Sequence, residues 1–255
     1  MSLTLGGGPL ATPGPEAVNY AIDGPGHRLL LHPFPRRVRA MLGGETVLDT
    51  ERGQLLHESN LLPVLYLPLA DARQELLEPT DHSTHCPFKG DASYWTLRAG
   101  GEVRENAVWT YREPLPAAPW LEGLVALYAD RLDQWYDEDE PVHKLRDPYH
   151  RVDVRRSSRA VRVTMGEEVL AESSRAVVLS ETGLPNRYYV PLEDVRAVLS
   201  DSDTASHCPY KGDARYFHVN GVADAAWGYD APCDGVQAVA GHVSFDGEGI
   251  SLEAS

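Results

Sequence analysis

The sequence has little of what several common protein classes depend on. Its 255 residues include three cysteines, an odd number that is too small for a disulfide framework and favours a reducing compartment. No run approaches 18 apolar residues, so the sequence predicts no membrane-spanning helix. Residues 1–15 lack the basic and apolar regions of an export signal, and we therefore expect a cytoplasmic protein.

Positive charge is also scarce. Lysine and arginine number 23 against 38 aspartates and glutamates, which gives a formal net charge of −15 at pH 7. Nucleic-acid backbones and anionic membrane surfaces repel so acidic a chain, so we expect neither of them as a partner. A small-molecule ligand stays open as a partner, and the sequence leaves the oligomeric state undetermined.

Familiar catalytic and phosphate-binding motifs are missing. The sequence contains no Gly-x-Gly-x-x-Gly, no Gly-x₄-Gly-Lys-Ser/Thr, no Gly-x-Ser-x-Gly and no His-Glu-x-x-His. It also lacks cysteine pairs at the spacing of zinc ligands, and adjacent His and Cys side chains are poorly placed to hold one ion together. We therefore predict no metal and no cofactor.

The sequence does contain one stretch of 14 residues that occurs twice. Residues 84–97 and 206–219 are identical at eight positions and closely similar at four more. The motifs before and after this stretch recur in the same order, which indicates an internal duplication. Each copy, of roughly 110 residues, is long enough to bury its own core.

Strand-like patterns dominate both copies. They are short and are separated by turn residues, among them Gly43-Gly44, Gly100-Gly101 and Asn220-Gly221, which are typical of hairpins. A proline favours the first turn of a helix, so we expect one short helix after Pro68 and another after Pro191. The sequence predicts a mostly β protein of two tandem compact domains, with many short antiparallel strands and one short helix in each.

Composition divides the chain into four segments. Residues 1–27 are rich in glycine and proline, and we expect them to form a flexible arm. Residues 28–136 and 148–255 are predicted to be the first and second β domains. The acidic residues 137–147 are predicted to be the linker between them.

A basic segment begins the second copy. We interpret it as a salt-bridged strand face, with a polyanion site as the alternative. Its arginines are Arg151, Arg155, Arg156, Arg159 and Arg162.

The repeated stretch brings a thiol, an imidazole, an amine, a carboxylate and a phenol together. Its proline and glycine predict a sharp bend between His85 and Ala92, and such a bend presents several polar groups to one cavity. The candidate site residues of the first copy are Glu58, His85, Cys86, Lys89, Asp91, Tyr94, Trp109 and Tyr111. Those of the second copy are Glu181, His207, Cys208, Lys211, Asp213, Tyr216, Trp227 and Tyr229.

Each candidate also has a structural interpretation. Cys86 and Cys208 are candidate catalytic nucleophiles, or small buried residues beside a proline. The two lysines of the stretch are candidate charges for an anionic ligand. Alternatively, they form buried ion pairs with the aspartate two residues on, or with Glu58 in the first copy and Glu181 in the second. The aromatic side chains are either pocket walls or core.

The order of these motifs resembles that of the bacterial and fungal family called domain of unknown function 427. The resemblance lies in Tyr-x-Pro, then Cys-Pro-x-Lys-Gly-x-Ala-x-Tyr, then Ala-x-Trp-x-Tyr. These motifs stand at residues 66–68, 86–94 and 107–111, and again at 189–191, 208–216 and 225–229. The resemblance implies a tent-shaped, Mss4-like β fold with a cavity between its sheets. Zinc, which relatives of that architecture carry through cysteine pairs, is not expected here.

We predict that each copy binds a small polar or anionic ligand in a pocket formed by the bend. Two alternatives stay open. One is a non-catalytic protein-interaction module in which the motif is structural, and the other is a thiol or acid/base enzyme.

Overall fold

The computed structural model describes residues 3–4 and 8–255. The chain divides into two compact units, Met1–Tyr149 and His150–Ser255. The predicted mostly β class is confirmed, since strands account for most of the regular structure of both units. Among the described residues, no helix is long and apolar enough to cross a membrane.

The first unit has eleven strands in the part of the chain that is described. They are β1 (Leu29–Pro33), β2 (Val38–Leu42), β3 (Glu45–Thr50), β4 (Gln54–Glu58), β5 (Val64–Pro68), β6 (Leu77–Cys86), β7 (Gly90–Ala99), β8 (Glu102–Tyr111), β9 (Leu124–Leu127), β10 (Gln134–Asp137) and β11 (Glu140–Val142).

The second unit, which is described throughout, has ten. They are β12 (Val152–Arg156), β13 (Val161–Met165), β14 (Glu168–Ser173), β15 (Val177–Glu181), β16 (Arg187–Pro191), β17 (Leu199–Cys208), β18 (Gly212–Val219), β19 (Val222–Tyr229), β20 (His242–Phe245) and β21 (Ile250–Ala254).

Within the described residues, each unit has a large antiparallel sheet of seven strands and a smaller sheet. The large sheets have the orders β1-β4-β5-β9-β8-β7-β6 and β12-β15-β16-β20-β19-β18-β17. These orders correspond strand for strand, so the duplication extends to the topology. The small sheets are β11-β10-β2-β3 and β14-β13-β21.

The predicted hairpin turns are confirmed. Gly43-Gly44 connects β2 to β3, Gly100-Gly101 connects β7 to β8, and Asn220-Gly221 connects β18 to β19. Gly100 has φ +56°, and a Cβ atom placed on it would lie 1.8 Å from the carbonyl oxygen of Gly43. Two turns of the first unit therefore pack backbone against backbone, and this requires glycine at Gly100.

The short α-helix that we predicted after each Tyr-x-Pro motif is wrong, because single 3₁₀ turns stand there instead. The first copy has two single 3₁₀ turns, Leu69–Asp71 and Gln74–Leu76, and the second copy has one, Leu192–Asp194. After the first turn, Ala72 is extended and forms a β-bridge to Leu48. Pairing with the neighbouring strand thus overrides the local helical preference.

The segments predicted as arm and linker contribute contacts to the first unit. Positions 1, 2 and 5–7 of the arm lie outside the described residues. Thr4 is buried, and its carbonyl oxygen accepts a hydrogen bond of 2.8 Å from the Asn60 backbone N–H. Of the acidic segment 137–147, Asp137 ends β10 and residues 140–142 form β11, which pairs with β10.

Two clusters of buried side chains lie on opposite faces of the large sheet in the first unit. The main cluster joins the large sheet to the small one through residues such as Leu97 and Leu48. The second cluster contains Tyr66, Tyr94 and Tyr111. The second unit repeats this plan, since its second cluster contains Tyr189 and Tyr229. The tyrosine-rich face is the one that carries the candidate site.

Candidate functional site

Strand register places most of the candidate aromatic residues and both signature cysteines on the tyrosine-rich face. In the first unit, Cys86 pairs with Gly90, and Tyr94 pairs with Trp109. Directly paired residues of antiparallel strands point to the same side, and successive residues alternate. The second unit follows the same rule, with the cysteine of the bend in register with Gly212 and Tyr216 in register with Trp227.

The bend of the repeated stretch is the turn between β6 and β7, at one side of the large sheet. Glu58 ends β4, near the other side. Four strand spacings separate β4 from β7, which is about 19 Å in a flat sheet at roughly 4.8 Å per strand. Nevertheless, the ammonium Nζ of Lys89 donates a hydrogen bond to Oε1 of Glu58. The sheet therefore curls strongly, and this contact joins its two sides.

A buried cluster of three ionisable side chains forms at this junction in the first unit. The side chains of Lys89 and Glu58 are 10% and 3% exposed. The second carboxylate oxygen of Glu58, Oε2, lies 3.3 Å from Nε2 of His27. Both oxygens of the carboxylate are thus occupied, one by the lysine and one by the histidine.

The second unit contains the equivalent three residues. Lys211 Nζ donates to Oε2 of Glu181 over 2.6 Å, and Nε2 of His150 lies 2.9 Å from Oε1. The exposed fractions of the lysine and glutamate side chains are 15% and 9%. We call these two groups the His–Glu–Lys clusters: His27, Glu58 and Lys89 in the first unit, and His150, Glu181 and Lys211 in the second.

The electrostatics of the second cluster favour a charged pair. Burial alone would raise the pKa of Glu181, but hydrogen bonds from His150 and Lys211 hold that pKa at about 2. Burial alone would lower the pKa of Lys211, yet the contact with Glu181 raises it above its ordinary value. Both side chains are therefore ionised near neutral pH.

Neutral tyrosines surround the clusters. Burial raises the pKa of Tyr66 and Tyr111 in the first unit and of Tyr189 and Tyr229 in the second. The Nζ atom of Lys89 lies 5.7 Å from the ring centroid of Tyr111. In the second unit the indole N–H of Trp227 donates to the hydroxyl of Tyr189 over 3.2 Å. The surroundings of each lysine are thus aromatic, with hydroxyl groups among the rings.

The structure separates the residues of the repeated stretch into two groups. Cys86 and Cys208 are unpaired thiols of intermediate exposure, and Cys86 packs against the tyrosine cluster. In contrast, His85 and Asp91 are exposed and bind each other, with 2.6 Å between Nδ1 and Oδ1. The second unit repeats this outward pair in His207 and Asp213, whose atoms lie 2.7 Å apart.

Of the two ion pairs weighed for the lysines, the glutamate partner is therefore the one that forms. The outward histidine–aspartate pairs take up the other candidate partner, so they are not part of the clusters.

Sequence reasoning missed the histidines of the clusters. His27 precedes Glu58 by 31 residues, and His150 precedes Glu181 by the same number. This repeated spacing was the available signal, but His27 stands in the segment predicted to be an arm. Its ring stacks on Phe88, the variable residue of Cys-Pro-x-Lys, with ring centroids 3.8 Å apart. Tyr66 and Tyr189, also missed, come from the Tyr-x-Pro motif.

No described group of three or more His, Cys, Asp or Glu side chains is arranged to hold a metal ion. Within each cluster the glutamate oxygens already have partners. Two open clefts of about 840 and 490 Å³ lie in the second unit, and no residue of the repeated stretch lines either of them. The clusters and these clefts are therefore separate features.

His57, the residue before Glu58, is a buried polar residue whose ring lies against Tyr149. Its side chain is fully buried, and neither ring nitrogen has a hydrogen-bond partner among the described residues. Burial lowers the pKa of His57, an effect that nearby His32 reinforces and Asp147 opposes. The unfolded chain therefore binds the proton more tightly, so stability is full above about pH 6.5 and is lost as the pH falls below it.

Replacing His57 with leucine is expected to raise the free energy of unfolding at pH 5 by about 1 kcal/mol, because an unsatisfied buried polar group is removed. The measurement is urea unfolding at pH 7 and pH 5. His85→Gln, which changes an exposed histidine, is the matched control and should behave as the wild type does. If the free energy of unfolding of His57→Leu fell between pH 7 and pH 5 as much as that of the wild type, the loss of stability in acid would not be due to His57.

The chain matches a known protein family. A family model described as "Domain of unknown function (DUF427)" matches residues 30–138 and 153–254, which together form most of the chain. No curated protein matches the sequence. The two matched segments coincide with the two copies, so the family resemblance of the motifs is confirmed.

Proposed function

We propose a function for the two domains of this chain, which belongs to the DUF427 family and carries the family's domain twice. Each domain binds a small polar or anionic ligand beside its His–Glu–Lys cluster. The lysine ammonium supplies the charge and hydrogen-bond donors, and the tyrosines supply the walls. The cytoplasmic location and the Mss4-like arrangement stay predictions.

The state of the lysine ammonium groups carries this proposal. An ammonium has three N–H donors. Among the described residues, Lys89 donates only to Glu58, and Lys211 donates only to Glu181. Since both side chains are largely buried, little water reaches the other donors. Two donors on each ammonium are thus available to the oxygen atoms of a ligand.

Energetics support the same function. Taking a lysine and a glutamate out of water costs several kcal/mol per ion, and an apolar pair of similar volume often stabilises a fold equally well. Stability alone therefore does not call for the pair, yet both copies contain it. The chain has three lysines in total, and two of them stand in the clusters. A ligand that needs the charge accounts for this placement.

Lysine-to-methionine variants test the proposal, since methionine keeps the length of the side chain and removes its charge. The probes are acetate, benzoate and inorganic phosphate, titrated into the full chain by calorimetry. We expect at least one probe to bind at both clusters, and Lys89→Met and Lys211→Met each to lose the site at its own cluster. Lys144→Met, which changes an exposed lysine, is the control and should keep both sites. Wild-type protein that binds none of the probes, or variants that bind as the wild type does, would refute the proposal.

A second candidate function rests on the position of the ion pair. Because Lys89 and Glu58 join the two sides of the curled sheet, the motif also serves as a structural clamp. The protein is then a non-catalytic interaction module, as the sequence also allowed. This candidate predicts that the lysine variants lose stability while the wild type binds none of the probes. Thiol or acid/base catalysis through Cys86 and Cys208 stays a prediction that no observation favours.

A further inference from the structure

A cleft in the second unit has the composition of an anion site and lies away from the His–Glu–Lys cluster. Its volume is about 840 Å³, within the roughly 300–1,000 Å³ of small-molecule sites. Arg156, at the end of β12, lines it together with Arg175 and His242. Three serines add hydroxyl groups: Ser157, Ser158 and Ser174. One wall is apolar, with Leu192 among its residues.

At several of the equivalent positions the first unit has apolar residues, although Arg52 and Asp71 correspond to Arg175 and Asp194. The backbone N–H of Phe34 donates to the carbonyl of Gly53 over 2.8 Å, and that of Ser157 donates to Ala176 over the same distance. This shared hydrogen bond aligns Phe34 with Ser157. Phe34 is 2% exposed and belongs to the main core cluster of its unit. A serine in place of this ring leaves open space in the second unit.

Two more replacements change the lining in the same direction. The strand pairing of Pro68 with Leu124 corresponds to that of Pro191 with His242, so a leucine is replaced by a histidine. At the position before Phe34 the first unit has Pro33, where the second has Arg156. The second copy has thus exchanged an apolar filling for cationic and hydroxyl groups.

Arg156 differs from the other arginines of its segment in lacking a partner. Arg151 and Arg155 lie within 4 Å of the carboxylate of Asp153, and Arg162 lies 3.1 Å from Glu172. The guanidinium of Arg156 forms no ion pair or hydrogen bond with any described residue. Arg159 donates only to the neutral hydroxyl of Tyr188, so two arginines of this segment lack a carboxylate among the described residues, and Arg156 alone has no partner of any kind there.

The other ionisable side chains that line the cleft differ from Arg156 in having ion-pair or hydrogen-bond partners. Arg175 lies 2.5 Å from Glu193 and 2.6 Å from Asp194, which compensate its charge. Nδ1 of His242 lies 2.8 Å from the carbonyl oxygen of Ala240 and must donate to it, so Nε2 remains to accept a hydrogen bond. The hydroxyls of Ser158 and Ser174 have no partner among the described residues.

We infer that this cleft binds the phosphate group of a small phosphomonoester. The planar fork of an unpaired arginine matches two phosphate oxygens, and the serine hydroxyls supply further donors. Glu193 and the Nε2 atom of His242 are placed to accept hydrogen bonds from hydroxyl groups on the organic part. The site belongs to the second unit alone, and it is independent of the function proposed for the clusters.

Calorimetric titration of the full chain with ribose 5-phosphate tests the inference, with ribose as the uncharged comparison. We expect one equivalent of ribose 5-phosphate to bind per chain and ribose not to bind. Arg156→Ala should weaken binding by about 10- to 100-fold, the range for a hydrogen bond to a charged group. Ser157→Phe, which restores the residue of the first copy, should abolish binding by filling the cleft.

Arg155→Ala is the matched control. It removes the same charge from the next residue, which points to the other face of β12, and it should bind as the wild type does. Circular dichroism of each variant checks that it is folded. Because Arg156 is exposed, we expect Arg156→Ala to fold as the wild type does.

Three results would overturn the inference. The first is that the wild type shows no saturable binding of ribose 5-phosphate, and the second is that both Arg156→Ala and Ser157→Phe bind it with wild-type affinity. The third is that Arg155→Ala loses as much affinity as Arg156→Ala, which would indicate unspecific attraction to the basic segment. Binding that is lost in Lys211→Met but kept in Arg156→Ala would place the phosphate at the cluster. That outcome would overturn this inference and support the proposed function.

Discussion

Replacing Glu58 with alanine is expected to lower the free energy of unfolding by about 3–5 kcal/mol, the usual loss when one partner of a buried ion pair is removed. The variant leaves the ammonium of Lys89 buried without a counter-charge, and it removes the contact that joins β4 to the β6–β7 turn. Urea unfolding measures the loss. Hydrogen exchange of the peptides of the first unit shows where it occurs, and the second unit should be unaffected.

The double variant Glu58→Leu/Lys89→Met is the control for this result. It replaces both charges by apolar groups, so no charge is left buried, and most of the lost stability should return. A loss below about 1 kcal/mol in Glu58→Ala would mean that water solvates the pair as it does at a protein surface, and the clamp would then be wrong.

Acid is expected to destabilise the second unit through Glu181. Hydrogen bonds hold its folded pKa at about 2, below the ordinary value of 4.5. A carboxylate with a lowered folded pKa stabilises the fold fully above its unfolded pKa, and this contribution is lost as the pH falls toward the folded pKa. We therefore expect a loss of roughly 2–3 kcal/mol between pH 5 and pH 2, discounted from the full shift for partial solvent screening.

The check is urea unfolding at pH 5, 4, 3 and 2, with hydrogen exchange to resolve the two units. Glu181→Gln cannot ionise, so it should be less stable at pH 5 and should lose less stability on acidification than the wild type. Glu248→Gln, an exposed control in the same unit, should follow the wild-type curve. If Glu181→Gln follows that curve too, other carboxylates cause the acid sensitivity.

Much of the architecture could be predicted because its signals are local. Glycine and asparagine adopt positive φ without the strain that other residues meet, so the turns at Gly43-Gly44 and Asn220-Gly221 are visible in the sequence. The duplication is visible for the same reason, since the local pattern of residues 84–97 recurs at residues 206–219. The helix predicted after Pro68 failed because a bridge between Ala72 and Leu48, which are distant in sequence, decided that segment.

The candidate site could be predicted only in part. Lys89 and Lys211 were recognised from the repeat, and Glu58 and Glu181 were among their possible partners. The histidine of each cluster was missed, because His27 lies outside the matched motifs and no local pattern connects it to the glutamate 31 residues later. Equally, nothing in the basic segment distinguished Arg156 from its neighbours before the partners of those neighbours were known.

The duplication, the mostly β class, the main turns and the family could be predicted because they depend on residues close together in the chain. Which charged side chains come into contact depends instead on the folding of distant strands. The curl of the large sheet brings β4 to the β6–β7 turn and buries one ion pair, while the exposed histidine–aspartate pair faces outward. The same holds for the cleft at Arg156, which opens where the second copy lacks the ring that fills the first. Packing across distant strands sets burial, and burial sets which side chains stay charged and which retain free donors.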